Sequence, residues 1–161
     1  MSVYSEILMR HAKHPVANNP LLSDQVDQTD QTNQDENTPI FIEFRNRSCG
    51  DLVRLSWSIN PKSQQIEKLS HYAEGCMLCK ASASILCAEI QNRPLSEVKN
   101  ILEKAAKATD FREELPDFSQ TSSDFKALSE ARQFPTRKRC FTLAWEAFQQ
   151  GLNQTASSMK K

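Results

Sequence analysis

The sequence predicts an α+β fold, in which an antiparallel three-stranded sheet carries packed helices. Three strand-like runs joined by short links lie between residues 40 and 73, and after Gly75 the apolar residues recur at helical spacing. Short links favour an antiparallel meander, and strands grouped before helices are typical of the α+β class. The length of 161 residues predicts one domain, 1–161, with a core that needs no disulfides.

The first segment is predicted to be a short amphipathic helix. Tyr4, Ile7, Leu8 and His11 share one stripe of residues 3–13, and Pro15 closes the segment. His11, on the apolar side, is expected to be packed and hydrogen-bonded. Residues 18–38 contain almost nothing apolar and are predicted to form a mobile loop, because little burial offsets their ordering entropy.

The strands and later helices follow in order. The strands are IFIEFRNR, LVRLSWSI and, after the turn NPKSQQ, IEKLSHYA. Helices are predicted after Gly75, from near Pro94 and Ser96, and after Pro135, with a C-cap signal at Gly151. Residues 110–131 predict a turn region with one short helix, and the polar end, 152–161, is predicted to fray.

Charge and cysteine content exclude several classes of function. Twenty basic residues balance twenty acidic ones, which argues against nucleic acid or an anionic membrane as partner. The N-terminus lacks the apolar core of a signal peptide, and no run approaches the roughly 20 apolar residues of a membrane span. We therefore expect a cytoplasmic protein whose five cysteines serve in metal ligation, thiol chemistry or the core.

Four potential ligands lie at boundaries between elements. In the stretch CGD, Gly50 could bend the chain so that Cys49 and Asp51 face one point; the alternative is a tight turn with Cys49 as a small buried residue. Cys76 begins a helix, where backbone N–H groups favour a thiolate. Cys140 lies in the first turn of the last helix. Three thiols and a carboxylate suit tetrahedral zinc or one edge of an iron–sulfur cluster, if they converge.

The remaining thiols and a basic turn permit two interpretations each. Cys79 forms a CxxC with Cys76, which could be a redox pair or half a zinc site, but Cys79 and Cys87 lie on an apolar stripe that predicts core packing.

The cations Arg137, Lys138 and Arg139 oppose the dipole at a helix N-terminus. They indicate either a nearby anion or acidic partner, or a turn that is simply solvated.

Three ordered motifs give the chain a family resemblance. CGD, EGCMLCKASAS and FPTRKRCFTLAWEAF resemble the cysteine motifs of the IscU/SufU/NifU-N family of iron–sulfur cluster assembly proteins, and VYSEILMRHAKHP resembles its opening helix. The resemblance implies a three-stranded α+β fold, metal ligands Cys49, Asp51, Cys76 and Cys140, and Cys49 as sulfur acceptor. It also implies as partners a SufS-like cysteine desulfurase and downstream iron–sulfur assembly proteins. The cations Arg137, Lys138 and Arg139 at the helix N-terminus are the residues through which we expect the desulfurase to dock.

Two features of the resemblance favour the SufU type over the IscU type. The interval of 64 residues between Cys76 and Cys140 is long, and Arg139 stands where IscU-type proteins carry histidine. We therefore expect a zinc-dependent sulfurtransferase acting with the desulfurase. The alternatives are an IscU-like scaffold for a [2Fe–2S] cluster and a structural zinc interaction module. Cys79 and the long 18–38 loop depart from the family pattern.

Overall fold

The fold was analysed in a computed structural model that describes residues 3–23, 39–46 and 50–159. Helix α1 is Val3–Lys13, and the strands are β1 Ile40–Asn46, β2 Asp51–Ile59 and β3 Ile66–Glu74. Helices α2 Met77–Ile90, α3 Leu95–Thr109 and α4 Lys138–Met159 follow, with 3₁₀ segments at Pro20–Ser23, Ser123–Gln133 and Pro135–Arg137. The predicted α+β class with its antiparallel three-stranded sheet is confirmed.

The register of the sheet determines where the functional residues lie. The strands are antiparallel in the order β1-β2-β3. Asn46 pairs with Asp51 at the first hairpin, and Leu52 pairs with Glu74 at the end of β3. The start of β2 and the end of β3 therefore share one end of the sheet. Helix α2 begins three residues after Glu74, so its N-terminus lies at that same end.

Helices α2 and α4 cover the sheet and build the core with it. Trp57 of β2 is fully buried, and its ring centroid lies 4.6 Å from that of Phe148 in α4. Cys79 and Cys87 of α2 are also fully buried, which confirms that they pack in the core. Burial of such large apolar side chains is the main source of stability in a domain of this size.

A buried hydrogen-bond network attaches α1 to the rest of the domain. His11 Nδ1 lies 2.7 Å from Ser84 Oγ, and His11 Nε2 lies 2.8 Å from Asp124 Oδ2. The backbone N–H of Val16 also donates to Ser84 Oγ, at 2.7 Å. The expectation of a packed and hydrogen-bonded His11 is confirmed, because both of its ring nitrogens have partners as burial requires.

The structure corrects the predicted mobile loop at its beginning. The N–H of Asn19 donates to the carbonyl of His71 at 2.7 Å, and Leu22 is buried. The Leu22 carbonyl accepts a 2.8 Å hydrogen bond from Arg54 Nη1. Residues 18–23 are thus held against β2 and β3, because Leu22 supplies apolar surface that the surrounding polar composition obscured. The rest of the predicted loop, 24–38, lies outside the described residues.

The predicted end of the last helix is wrong. Helix α4 passes through Gly151 and continues to Met159, and Leu152 packs against the core. A β-carbon on Gly151 would lie 2.3 Å from Trp57 Cη2. The glycine therefore permits close packing on the tryptophan and does not cap the helix. None of the helices in the described part of the chain is both long and apolar enough to cross a bilayer.

Candidate metal centre

Three of the four predicted ligands lie together at the end of the sheet where α2 begins. Asp51 is the first residue of β2, Cys76 immediately precedes α2, and Cys140 is in the first turn of α4. One carboxylate oxygen and the two sulfurs lie within 4.8 Å of one another. The fourth predicted ligand, Cys49, lies outside the described residues. Residues far apart in sequence thus converge because the sheet register and the packing of α4 bring their boundaries together.

Asp51 is held in place by the turn that precedes α2. The backbone N–H of Cys76 donates to Asp51 Oδ1 at 3.0 Å, and Cys76 Sγ lies 3.8 Å from Asp51 Oδ2. Gly75 has a φ of +123°, and a β-carbon there would lie 2.0 Å from Asp51 Oδ1. Only a glycine leaves room for the carboxylate against this turn. The remaining oxygen, Oδ2, is directed toward the sulfur.

Gly50 has a different role from Gly75. Its φ is +75°, and no atom lies within 4 Å of the position that a β-carbon would take. Its N–H donates to the carbonyl of Asn46 at 2.9 Å, which links the end of β1 to the start of β2. Gly50 therefore supplies the bend predicted from the sequence, through backbone conformation alone.

The donors form a buried acidic cluster that a cation would fit. Asp51 and Cys140 are buried, with 1% and 3% of their residue surface exposed, and Cys76 is partly exposed. Burial, together with the neighbouring Asp51 and Cys76, raises the pKa of the Cys140 thiol well above its usual range. A divalent cation reverses this effect, because it stabilises the negative forms of all three groups.

The donor types and spacing agree with zinc. In a tetrahedral zinc site with Zn–S bonds of about 2.3 Å, neighbouring sulfurs lie roughly 3.8 Å apart. The three donor atoms lie within 4.8 Å of one another, so small side-chain movements would bring them to the spacing of a zinc site. Within the described ranges, Cys79 and Cys87 are not members of the cluster. Sulfur with a single carboxylate oxygen suits zinc or iron better than calcium or magnesium.

The basic turn before Cys140 has acidic neighbours within the chain. Lys138 Nζ lies 3.4 Å from Asp110 Oδ2, and Arg139 Nε lies 3.8 Å from Glu146 Oε2. Hydrogen bonds from the Arg112 side chain and backbone hold the pKa of Asp110 below its usual range, so Asp110 is ionised. Arg137 is exposed. The sequence leaves open either a nearby anion or a solvated turn. The structure supplies acidic neighbours for Lys138 and Arg139, which sequence spacing does not identify.

Two exposed apolar side chains lie close in sequence to the cysteines of the cluster. Met77, which follows Cys76, is 45% exposed, and Phe134, just before the basic turn, is 49% exposed.

Gly75 is a site residue that the sequence patterns did not indicate. Its position directly before Cys76 is the signal that could have indicated it, since glycine often marks a close approach.

Comparison with known proteins identifies the family. The family model for the NifU-like N terminal domain matches residues 3–160, nearly the whole chain. The chain belongs to this family. The resemblance inferred from the three cysteine motifs is thus confirmed.

Named relatives in the NifU-like family include two types of protein. The chain is 26% identical over 151 residues to the zinc-dependent sulfurtransferase SufU of Bacillus subtilis, covering 94% of this chain and 90% of the relative. It is 25% identical over 119 residues to the iron-sulfur cluster assembly scaffold protein IscU of Thermotoga maritima, covering 74% and 80%.

Solved structures show the same fold. FiSufU from Fervidobacterium islandicum AW-1 superposes with a TM-score of 0.70 at 19% identity, covering 91% of this chain and 94% of that one. The N-terminal part of a NifU-like protein from Brucella abortus gives a TM-score of 0.71 at 13% identity, covering 96% and 95%. The helices and sheet described above are therefore those of the NifU-like fold.

Proposed function

We propose that this chain is an iron–sulfur cluster assembly protein of the SufU type, which binds zinc and accepts sulfur from a cysteine desulfurase in the cytoplasm. The observation that carries the proposal is the buried cluster of Asp51, Cys76 and Cys140. The match to the B. subtilis protein along 94% of the chain supports the SufU type. So does the long interval between Cys76 and Cys140.

The residues of the chain have distinct roles in this proposal. Cys49, next to the bend at Gly50, accepts the outer sulfur of the desulfurase persulfide through its thiolate. Asp51, Cys76 and Cys140 complete the ligand set. Bound zinc supplies the positive charge that keeps ligand thiols deprotonated. A carboxylate binds zinc less firmly than a thiolate, so Asp51 favours a site that can exchange a ligand.

A scaffold for a [2Fe–2S] cluster is the second candidate function. The T. maritima relative carries a scaffold name, and the same four side chains could hold a cluster as cargo. A structural zinc module is less well supported, because structural zinc sites use closed cysteine and histidine sets and this cluster contains a carboxylate.

The order of sulfur and iron arrival distinguishes the sulfur acceptor from the scaffold. With a SufS-like desulfurase and cysteine but no iron, the protein should accelerate desulfurase turnover, and alkylation should trap a persulfide on Cys49. Cys49→Ala should abolish the acceleration, while Cys87→Ala serves as the matched cysteine control. Acceleration that requires iron, with a stable transferable cluster formed only after zinc is displaced, would instead establish the scaffold.

Zinc content tests the ligand set directly. The purified protein should carry about one zinc per chain, and the substitutions Asp51→Ala, Cys76→Ser and Cys140→Ser should each lower zinc content and thermal stability. Cys87→Ser is the control: it should keep its zinc but lose stability, since Cys87 is fully buried with its sulfur 3.4 Å from His71 Nδ1. Full zinc content in all three ligand variants, measured by elemental analysis, would eliminate the site.

Charge reversal in the basic turn tests desulfurase docking. Arg137→Glu with Lys138→Glu should weaken binding at low ionic strength, mainly through a slower association rate, and added salt should reduce the difference. The control is Lys62→Glu with Lys99→Glu, which changes the net charge equally but at exposed positions in the turn between β2 and β3 and in the first part of α3. Equal low-salt affinities of both double variants, measured by surface plasmon resonance, would show that the basic turn does not contribute to docking.

A further inference from the structure

We propose that Cys76 and Cys79 form a dithiol that converts sulfur held as a persulfide on Cys76 into free sulfide. The inference rests on the proposed function, since sulfur must first reach this protein as a persulfide on Cys49. The Cys76 thiolate, released from the metal, then attacks the outer sulfur of that persulfide, and Cys49 leaves as a thiolate. Cys79 is a thiol that neither the metal cluster nor the sulfur-accepting step employs. Its position three residues after Cys76, at the start of α2, is the observation that carries the inference.

The two cysteines occupy positions from which a disulfide can form. Cys76 is the N-cap of α2, and Cys79 is the third helical residue. Residues three apart on a helix have β-carbons about 5–6 Å apart, and a disulfide needs about 3.5–4.5 Å. Cys76 lies outside the helix with an extended backbone (φ −73°, ψ 162°) and follows Gly75, so its side chain is not held at the spacing of two helical residues.

The Cys76 and Cys79 thiols differ in solvent exposure, which suits them to different roles. Cys76 is partly exposed, whereas Cys79 is completely buried in the core. An incoming sulfur donor therefore reaches Cys76 and not Cys79. Cys79 is also absent from the cluster of donor atoms around Asp51, so its sulfur is not committed to the metal. An accessible first thiol with a buried second thiol is the arrangement of an attacking and a resolving cysteine.

The proposed step needs no external oxidant. The Cys79 sulfur attacks the inner sulfur of the Cys76 persulfide, which forms the Cys76–Cys79 disulfide and breaks the bond to the outer sulfur. That outer sulfur leaves with the electron pair and takes the Cys79 proton, as HS⁻. The two thiols are thereby oxidised and the transferred sulfur is reduced. An external dithiol reductant then restores both thiols by exchange.

A single-turnover experiment with a small-molecule donor tests this step. Full-length Cys49→Ala protein, which lacks the other acceptor, is treated anaerobically with one equivalent of cysteine persulfide and no reductant. In the proposed step the donor leaves as cysteine, and the free sulfide comes from the transferred sulfur. Attack of Cys76 on the inner sulfur of the donor would also release sulfide, but in a variant without Cys79 it would leave cysteine disulfide-bonded to Cys76, which intact mass detects. We expect nearly stoichiometric sulfide, a chain lighter by two hydrogens, and a tryptic map that joins Cys76 to Cys79.

Two matched variants of the same helix complete the test. Cys49→Ala with Cys79→Ala should retain the added sulfur on Cys76 and release sulfide at least about tenfold more slowly until dithiothreitol is added. Cys49→Ala with Cys87→Ala removes a cysteine two turns further along α2 and should behave like the parent. Equal sulfide release with and without Cys79, or a map that joins Cys76 to another cysteine, would overturn the inference.

The disulfide map and the use of cysteine persulfide as donor distinguish a failure of this inference from a failure of folding, docking or the proposed function. The disulfide map of the protein with Cys79 intact decides the question even if the Cys79 variant does not fold. Because cysteine persulfide replaces the desulfurase, the result does not depend on enzyme docking. Failure of the proposed function would appear separately, as no iron-free acceleration and no persulfide on Cys49 in the unsubstituted protein.

Discussion

Gly75→Ala is expected to abolish stoichiometric zinc binding and to destabilise the fold by roughly 2–4 kcal/mol. The new β-carbon would lie 2.0 Å from Asp51 Oδ1 and 3.0 Å from the Asp51 α-carbon, so both the side chain and the backbone must move. The φ of +123° adds strain for any residue with a side chain. Asp51 would leave its place beside the cysteines. Zinc analysis and denaturant unfolding measure the two effects.

Gly50→Ala is the matched control for this prediction. Gly50 also has a positive φ, +75°, but its β-carbon would meet nothing within 4 Å. Alanine there should cost only about 1 kcal/mol of backbone strain and leave zinc content near that of the unsubstituted protein. Equal zinc content in the Gly75 and Gly50 variants would mean that the space beside Asp51 does not govern the site.

Gly151→Ala is expected to destabilise the protein, although helix propensity predicts the opposite. Replacing a glycine inside a helix by alanine normally stabilises it by about 1 kcal/mol. Here the β-carbon would lie 2.3 Å from Trp57 Cη2 and 2.8 Å from Cζ2. Trp57 is fully buried against Phe148 and cannot shift without disturbing the core, so overpacking should cost about 1–3 kcal/mol. Denaturant unfolding reports the sign.

A second substitution attributes this loss to the tryptophan. In a Trp57→Phe background the smaller ring removes the atoms that the new methyl group meets, so the cost of Gly151→Ala should shrink or change sign. Gln150→Ala, at the exposed neighbouring position of the same helix, should change stability by less than about 0.5 kcal/mol. Stabilisation by Gly151→Ala in the unsubstituted background would contradict the close packing of α4 on β2.

The sequence by itself determined the order and type of the main elements. Alternation from Ile40 onward and helical spacing after Gly75 are local patterns, and local patterns suffice to predict an antiparallel sheet followed by helices. The same patterns correctly placed Cys79 and Cys87 in the core, because both lie on the apolar stripe of α2. The ordered cysteine motifs are specific enough to indicate the family from the sequence alone.

Local patterns failed where a residue serves a distant neighbour. By local pattern Gly151 is a helix cap, but in the structure it packs against Trp57. By local pattern Leu22 belongs to a polar loop, but it is buried and its carbonyl accepts a hydrogen bond from Arg54. In both cases tertiary packing outweighs local propensity, because burial of one apolar group can exceed the preference of a single residue for helix or loop.

Only the tertiary structure decided which candidate ligands meet. Spacings of 25 residues from Asp51 to Cys76 and 64 from Cys76 to Cys140 do not predict a distance in space. The register that sets Leu52 opposite Glu74 brings Asp51 to the start of α2, and packing of α4 on the sheet brings Cys140 to the same place. Convergence depends on strand register and helix docking, which are global properties. The ligand types were therefore readable from the sequence, and their proximity was not.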